Sequence, residues 1–360
     1  MLGKLFGNKE KTHSLKIDGV DKSISISSKE TLLQAALKEG VKFPHSCRVG
    51  GCAMCKCRLV SGKVKELTEK SYILSAEELQ TGYILACQSL PRSDVQVEVD
   101  FSRADIPEHD LVTTPGKIIA QNPLTHDISE IVIETDKDIE FTAGQFAEIT
   151  VPGDITDARS YSFGSAPGRY KNEIHFFVRA VPGGAMSNWI LGDQAVGTKV
   201  ELQGPFGDFY LRSSDKPMLC VAGGSGLAPV LAVLEDAANQ GVNRPVSFLF
   251  GARTEQDLYC LDQIKEIKAR WKGEFEFVPV LSDEPEDSAW TGARGFVTAH
   301  FEKYCTAETQ LYMCGPPPMI DAAIAEAHKY KLEDKDIFFD KFLDKSDLEK
   351  PKQNEPAQTA

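Results

Sequence analysis

The sequence lacks three features that would place the protein in a membrane, outside the cell or on nucleic acid. None of its apolar runs approaches the ~20 residues that a membrane-spanning helix needs. The opening Met1–Gly7 is too short for a secretion signal, so we expect a cytoplasmic protein. The formal net charge of −13 provides no basic excess for phosphate backbones, which argues against nucleic acid as a partner.

The length and composition indicate a globular chain of several domains. At 360 residues, the chain is long enough for roughly two to three domains. Hydrophobic residues make up 42% and charged residues 26%, which is ordinary for a globular protein and excludes a disordered or fibrous class. The acidic excess suits docking on a partner with a positive patch, but it is equally explained by solubility.

Four of the nine cysteines stand at spacings typical of metal ligation. Cys47, Cys52 and Cys55 form C-x₄-C-x₂-C, the plant-type spacing for ligands of a 2Fe–2S cluster. Cys87, well downstream, supplies the fourth thiolate. The alternative is a set of buried or disulfide-forming cysteines, and disulfides are rare in a reducing compartment. The pattern therefore predicts an iron–sulfur cluster, with Cys57 as a small apolar side chain beside the loop.

Strand and helix patterns divide the chain into three domains. Residues 12–101 contain short strands and a helix around the cysteine loop. Residues 115–212 are rich in short strands separated by turn signals, which predicts an antiparallel barrel. In residues 213–345 strands alternate with helices, which predicts a parallel sheet with helices on its faces. We expect a linker at 102–114 and a disordered tail at 346–360, where apolar residues are few.

A glycine-rich loop lies between an apolar strand and a helix of the third domain. Gly223, Gly224 and Gly226 would let the backbone approach a pyrophosphate at the helix N-terminus. Read from Gly224, the G-x-G-x-x-G motif ends at Pro229, so the ordinary fingerprint fails and a tight packing turn is an equal alternative. Cys314, before a proline-rich turn, could belong to the same site or be an inert buried thiol.

Two motifs in the strand-rich domain have the chemistry that a flavin nucleotide requires. Arg159, Tyr161 and Ser162 offer a cation for phosphate, an aromatic ring for a flavin and a hydroxyl for a flavin heteroatom. On composition alone, a strand with alternating polar residues is the favoured explanation. The small-residue turn at Gly184 and Ser187 is a plausible pyrophosphate cradle.

These motifs together resemble the ferredoxin–NAD(P)⁺ reductase superfamily, here preceded by a plant-type ferredoxin. The resemblance rests on R-x-Y-S at 159–162, G-P-F-G at 204–207, G-G-x-G-x-x-P at 223–229 and C-G-P-P-P-M at 314–319. It extends over nearly the whole chain except the C-terminal tail, and the order of domains is similar to that in reductase components of bacterial multicomponent oxygenases. It implies a multidomain protein of α+β, β and α/β parts: a β-grasp ferredoxin, an antiparallel β-barrel FAD domain and a Rossmann-like parallel-sheet NAD domain.

The resemblance also implies roles for single residues. For FAD it implies Arg159 on the phosphate, Tyr161 against the flavin ring and Ser162 as a catalytic hydroxyl near N5. It also implies a pyrophosphate turn at Gly184 and Ser187, and Phe342 on the other face of the flavin. For the nicotinamide nucleotide it implies the glycine loop and a catalytic thiol near the nicotinamide: Gly223, Gly224, Gly226 and Cys314. Asp257 matches an acidic position associated with NADH preference, since a carboxylate would repel the 2′-phosphate of NADPH.

The function that this resemblance implies is NADH-dependent electron transfer. FAD would link the two-electron donor to the one-electron 2Fe–2S cluster, which would reduce a separate oxygenase acting on aromatic or aliphatic hydrocarbons. That oxygenase could be membrane-bound. Two alternatives stay open, namely a reductase of the same build that serves a deoxysugar-forming dehydrase, and a non-enzymatic redox-sensing module.

Overall fold

The computed structural model of the 360-residue chain describes residues 11–45, 50, 54–70, 73–74, 76–101, 109–153, 155 and 158–342. These residues belong to two units, one within residues 1–107 and the other within residues 108–344. In the part of the chain that is described, no helix has both the length and the apolar character needed to cross a bilayer.

The first unit is built around a five-stranded sheet. Its elements, in chain order, are β1 Thr12–Ile17, β2 Ser23–Ser27, α1 Leu32–Lys38, β3 Lys56–Ser61, β4 Val64–Glu66, α2 Ala76–Gln80, β5 Tyr83–Leu85, β6 Ser89–Pro91 and β7 Val95–Glu98. Among the described residues, the sheet has the order β2-β1-β7-β3-β5, and β4 and β6 form a separate two-stranded ribbon. This arrangement confirms the β-grasp fold expected for the ferredoxin domain.

The helix α1 begins after a capping residue, Thr31. The Thr31 hydroxyl accepts from the Gln34 backbone N–H at 3.2 Å, and the Gln34 side chain accepts from the Thr31 N–H at 3.0 Å. This reciprocal capping box satisfies two backbone donors that would otherwise lack partners. The apolar side of the helix, from Leu32 to Ala36, packs into the same core as Cys55 and Cys87. The helix thus covers the cysteine-bearing side of the sheet.

The second unit begins with an antiparallel barrel. Its elements are β8 Val112–Pro123, β9 Ile128–Thr135, β10 Phe146–Thr150, β11 Arg159–Ser162, β12 Glu173–Arg179, α3 Ala185–Ile190 and β13 Lys199–Phe206. Within the described residues the strand order is β11-β10-β13-β8-β9-β12, and an antiparallel bridge between Phe163 and Phe176 joins the two edges. The expected barrel is confirmed. Its first strand includes residues 112–114, which the sequence pattern assigned to the linker.

A parallel sheet follows the barrel. Its elements are β14 Met218–Gly223, α4 Leu227–Gln240, β15 Val246–Ala252, α5 Leu261–Arg270, β16 Phe275–Leu281, β17 Ala293–Arg294, α6 Phe301–Tyr304, β18 Gln310–Gly315, α7 Pro317–Lys329 and β19 Ile337–Lys341. In the described residues the order is β17-β16-β15-β14-β18-β19, with parallel pairing throughout. Alternate residues of β14 enter separate cores on the two faces, so the sheet is covered on both sides as expected for a Rossmann-like domain.

A buried charge fixes the barrel against α4. The Glu235 side chain is only 6% exposed, pairs with Arg169 and accepts from the Ala166 N–H at 3.0 Å. Leaving such a carboxylate unpaired would cost several kcal/mol, so the loop that carries Arg169 and Ala166 is held on the helix. The barrel and the parallel sheet therefore have a defined orientation within this unit.

Candidate redox and nucleotide-binding sites

Two of the four predicted cluster ligands lie together in the core of the first unit. Cys55 and Cys87 are 3% and 5% exposed, and the Cys87 backbone N–H donates to the Cys55 sulfur at 3.5 Å. The Gln88 amide nitrogen lies 3.8 Å from the Cys87 sulfur. The other two predicted ligands, Cys47 and Cys52, lie outside the described residues.

The described surroundings fit an iron–sulfur cluster. N–H groups directed at sulfur stabilise thiolate ligands and tune the potential of the cluster that they hold. Gly50 adopts φ +84°, and a Cβ there would lie 2.8 Å from the Gln88 Cγ, so the loop passes too close for a side chain. Cys57 differs from the ligand pair, since it is fully buried among apolar residues. Its burial, followed by the nearby Cys87, raises the pKa of the Cys57 thiol far above its usual value.

The predicted flavin motif occupies strand β11 at the edge of the barrel. β11 pairs with β10 so that Tyr161 lies opposite Ala147. Side chains alternate along a strand, so Arg159 and Tyr161 point to one face and Ser162 to the other. Burial raises the pKa of the Tyr161 phenol, which therefore stays neutral and offers an uncharged ring. One short strand thus presents a cation and an aromatic ring together, and a hydroxyl on its opposite side.

The hydroxyl of Ser162 meets a carboxylate from the end of the chain. The Ser162 Oγ donates to the Asp340 Oδ2 at 3.5 Å, and Asp340 lies beside Cys314 in the pairing of β18 with β19. Cys314 is fully buried, and its burial, followed by the nearby Asp340, raises the pKa of its thiol well above the usual value. Phe342 lies two residues after Asp340, and its backbone N–H donates to the Gly315 carbonyl at 3.0 Å. The fold therefore brings three predicted residues, Ser162, Cys314 and Phe342, around a carboxylate that sequence reasoning missed.

The small-residue turn stabilises itself through its serine. Gly184 precedes α3, and a Cβ there would lie 2.7 Å from the Ser187 Oγ. That Oγ accepts from the Val181 N–H at 3.1 Å and donates to the Gly184 carbonyl at 3.4 Å. Ser187 thus fixes the shape of the turn, and a residue larger than glycine at 184 would displace its hydroxyl.

A pocket of about 460 Å³ opens between the barrel and the carboxyl ends of the parallel strands, a size typical of cofactor sites. Its lining includes residues from both parts: Thr125, Asp127, Arg179, Gly223, Gly224, Arg253, Asp257, Phe296, Pro316 and Met319. Gly226 lies behind the lining. A Cβ at this position would lie 2.4 Å from the Cys314 carbonyl oxygen, so the loop can pack on β18 only with glycine there. Two of the three predicted loop glycines therefore face the pocket, and the third permits close packing.

A charged network forms one wall of this pocket. Asp127 accepts from the Arg179 Nε at 2.9 Å and from the Arg253 Nη2 at 3.3 Å. Burial by itself would raise the pKa of Asp127, but Arg179 outweighs it, so the pKa falls below the usual value and the carboxylate stays charged. Asp257 accepts from the Thr254 N–H at 3.0 Å, and its second oxygen lies 3.5 Å from the Arg253 Nη2. The predicted specificity carboxylate is thus held rigidly beside an arginine.

Sequence reasoning assigned no role to Asp127, Arg179, Arg253, Phe296 or Asp340. Arg179 lies at the end of a barrel strand and Arg253 at the end of a strand in the parallel sheet, and they meet only because the two parts pack together. Phe296 follows a glycine in left-handed conformation and is 74% exposed at the pocket. An exposed aromatic residue after a glycine was a signal that could have marked it.

Family comparisons agree with these three sites. Residues 15–92 match the 2Fe-2S iron-sulfur cluster binding domain, residues 115–210 the oxidoreductase FAD-binding domain, and residues 220–324 the oxidoreductase NAD-binding domain. The fold and the sites therefore define an oxidoreductase with a 2Fe–2S cluster, FAD and a nicotinamide nucleotide as its cofactors.

Curated relatives narrow the class further. The chain is 42% identical to the xylene/toluene monooxygenase electron transfer component XylA of Pseudomonas putida, over 88% of this chain and 89% of the relative. It is 34% identical to the phenol 2-monooxygenase reductase component DmpP of Pseudomonas sp. strain CF600, over 93% and 96%. The structure of the ferredoxin reductase in carbazole 1,9a-dioxygenase is similar, with TM-score 0.70 and 28% identity over 93% of this chain and 99% of that one. The chain belongs to the family of reductase components of multicomponent oxygenases.

Proposed function

We propose that this protein oxidises NADH and passes the electrons singly, through FAD and a 2Fe–2S cluster, to a separate terminal oxygenase that hydroxylates an aromatic or aliphatic hydrocarbon. The observation that supports this most directly is the shared pocket. Barrel residues Asp127 and Arg179 and the sheet residues Gly223, Gly224 and Asp257 line the same cavity. A dinucleotide held there would lie across the junction at which a flavin domain and a nucleotide domain must exchange electrons.

The chain's own residues would bind and orient the cofactors. Bound FAD would supply the conversion of a two-electron donor into the single electrons that an iron–sulfur cluster carries. For the flavin we propose a phosphate ligand, two ring partners, a hydroxyl near the reacting nitrogen and a pyrophosphate turn: Arg159, Tyr161, Phe342, Ser162, and Gly184 with Ser187. Asp340 would orient the Ser162 hydroxyl, with which it shares a hydrogen bond.

For the nicotinamide nucleotide we propose the loop of Gly223, Gly224 and Gly226. Cys314 would lie near the nicotinamide as an uncharged thiol, because its raised pKa keeps the proton on sulfur. Asp257 would face the adenosine ribose, where a fixed carboxylate disfavours a 2′-phosphate. For the cluster we propose four thiolate ligands: Cys47, Cys52, Cys55 and Cys87.

The module boundaries and the cellular setting belong to the same proposal. We place the ferredoxin domain at 12–101, the FAD barrel at 115–212 with residues 112–114 added to its first strand, and the NAD domain at 213–345. The rest of 102–114 would be a linker and 346–360 a tail. The protein would act in the cytoplasm on an oxygenase that could itself be membrane-bound. The boundaries are supported by the family matches at residues 15–92, 115–210 and 220–324, and the oxygenase partner by the similarity to XylA and DmpP.

A two-acceptor assay tests this function. The purified holoprotein should oxidise NADH with ferricyanide as a small acceptor, and NADH should bleach the visible absorbance of the cluster. With a candidate oxygenase added, NADH consumption should be coupled to formation of hydroxylated product. If NADH left the cluster oxidised while ferricyanide was still reduced, the proposed electron route would be wrong.

A further inference from the structure

The two-stranded ribbon beside Cys87 presents an outer face to which the proposed function gives no role. In this ribbon Lys65 of β4 lies opposite Leu90 of β6. Backbone hydrogen bonds of 2.8 Å, from Leu67 to Gln88 at one end and from Arg92 to Lys63 at the other, extend the pairing by one residue of each strand. Directly opposed residues share a face, and alternate residues along each strand return to it. Six side chains therefore make up one surface, which we call the exit face: Lys63, Lys65, Leu67, Gln88, Leu90 and Arg92.

The exit face combines apolar and basic side chains. Leu67 is 48% exposed and supplies an apolar contact surface on this face. Lys63 and Lys65 are exposed and, among the described residues, form no ion pair. In contrast, four other basic side chains of this unit are each paired with a glutamate: Lys22, Lys56, Arg58 and Lys70. The exit face thus keeps its positive charge.

One end of the exit face reaches the predicted cluster ligand. The Leu67 N–H donates to the Gln88 carbonyl at 2.8 Å, and the Gln88 amide nitrogen lies 3.8 Å from the Cys87 sulfur. A protein that docked on Leu67 would therefore lie next to Cys87. An electron that leaves through the cluster would have a short path to such a partner.

The charge distribution along the chain singles out the same module. Residues 1–101 contain 15 Lys and Arg against 12 Asp and Glu, whereas residues 102–360 contain 25 against 41. Within 40–65, which includes three of the predicted cluster ligands, there are six Lys and Arg and neither Asp nor Glu. The net charge of −13 therefore comes from residues 102–360, whereas residues 1–101, which include the predicted cluster ligands, have a small basic excess.

We propose that the exit face is the docking surface for a separate acceptor protein, and that the acceptor presents an acidic rim around an apolar spot. This proposal rests on the proposed function, in which electrons leave through the cluster. Charge complementarity raises the rate at which separate proteins meet. The chain's own flavin domains are already held at an effective concentration of order mM by covalent linkage, so they need no such attraction. Apolar contact flanked by polar and charged side chains is also the ordinary composition of a protein interface.

Two redox proteins of opposite surface charge serve as probes: cytochrome b5, which is acidic, and cytochrome c, which is basic. Lys63→Glu combined with Lys65→Glu should slow NADH-driven reduction of cytochrome b5 about tenfold at low salt and speed reduction of cytochrome c. Both effects should be smaller at about 0.5 M salt than at low salt, because screening shortens the reach of exposed charges. The Kd for cytochrome b5 and the oxidised holoprotein, measured by calorimetry without NADH, should rise in parallel.

The matched control is Lys16→Glu. Lys16 is exposed on β1 between the fully buried Leu15 and Ile17, so it points away from the core that holds Cys55 and Cys87. The Lys16→Glu substitution should leave the rates of reduction of both cytochromes and the Kd for cytochrome b5 within twofold of the values for the unsubstituted protein. Leu67→Ala should weaken cytochrome b5 binding at high salt as well as low, because it removes apolar contact and no charge.

Three results would overturn the proposal. The first is an equal effect of Lys16→Glu and the exit-face variant, and the second is a change of the same sign with both cytochromes. The third is slower bleaching of the cluster by NADH with an unchanged Kd, which would assign the face to the chain's own flavin domains. If NADH failed to bleach the cluster of the unsubstituted protein, the proposed function would fail instead, and the calorimetric Kd would still test the docking surface.

Discussion

The Ser162 hydroxyl donates to the Asp340 carboxylate at 3.5 Å and so links two residues that lie 178 positions apart in the sequence. Ser162 ends a barrel strand and Asp340 lies on the last strand of the parallel sheet, directly beside Cys314. This contact joins the predicted flavin and nicotinamide sites. It places a carboxylate beside the Ser162 hydroxyl and next to the Cys314 thiol, whose burial, followed by the charge of Asp340, raises its pKa well above the usual value.

Asp340→Asn should therefore slow NADH oxidation with little loss of bound FAD. The amide keeps the size of the side chain but removes the negative charge that lies 3.5 Å from the Ser162 Oγ. We expect a fall in kcat of about tenfold, which corresponds to about 1.4 kcal/mol in the barrier. Stopped-flow reduction by NADH gives the rate, and the visible spectrum gives the FAD content.

Asp321→Asn is the matched control for this experiment. Asp321 lies on α7, is 63% exposed and pairs with Lys341. The substitution therefore removes a nearby carboxylate that does not contact Ser162. A double variant of Ser162→Ala with Asp340→Asn should be no slower than the slower single variant, because both changes break the same contact. Fully additive losses would show that the two residues act independently.

Cluster ligation can be tested by exchanging single cysteines. Cys52→Ser should weaken or remove the cluster, because an alcohol oxygen is a poorer ligand than thiolate for iron in such centres. Cys57→Ser should retain it, although a hydroxyl at this fully buried position should cost about 1–3 kcal/mol of stability. Iron and sulfide analysis with visible absorbance gives the cluster content. Equal iron loss in both variants would contradict the ligand set.

Nucleotide preference should depend on Asp257. We expect the protein to favour NADH over NADPH, and Asp257→Ser to narrow the ratio of kcat/KM values by about tenfold. The substitution removes a carboxylate and leaves Arg253 with Asp127, 3.3 Å from its Nη2, in place of two acidic neighbours, so Arg253 can pair more readily with a 2′-phosphate.

Asp262→Ser provides a control for nucleotide preference, since this carboxylate is 91% exposed and pairs only with Lys265 among the described residues. Its ratio of kcat/KM values should match that of the unsubstituted protein. Efficient use of NADPH by the unsubstituted protein would show that Asp257 has been given the wrong role.

Local signals in the sequence predicted local structure well. The short strands and helix of the ferredoxin domain and the glycine loop between an apolar strand and a helix each depend on neighbouring residues, and each is observed where expected. The contacts of Asp340 and Arg179 were not predictable in this way. Each depends on how two distant strands pack, and no periodic pattern records which side chains then meet.

The ferredoxin domain and the FAD and NAD domains should carry out separate steps of electron transfer. If residues 1–101 form an independent ferredoxin, the chain should tolerate cutting in the linker, and a fragment from about residue 105 onward should keep FAD. That fragment should still reduce ferricyanide with NADH, because this reaction needs only the flavin and nucleotide sites of the second unit. It should lose transfer to cytochrome b5 and to an oxygenase, since both would draw electrons through the cluster.

Adding the separate ferredoxin fragment should restore cytochrome b5 reduction only weakly. Linkage in the intact chain gives the ferredoxin an effective concentration of order mM, which a micromolar fragment does not reach. Restored activity should therefore rise linearly with added fragment and remain below that of the intact chain. The measurement compares ferricyanide and cytochrome b5 rates for the intact chain, the flavin fragment and the mixture. Full cytochrome b5 reduction by the flavin fragment alone would mean that electrons leave from the flavin, and the route through the cluster would be refuted.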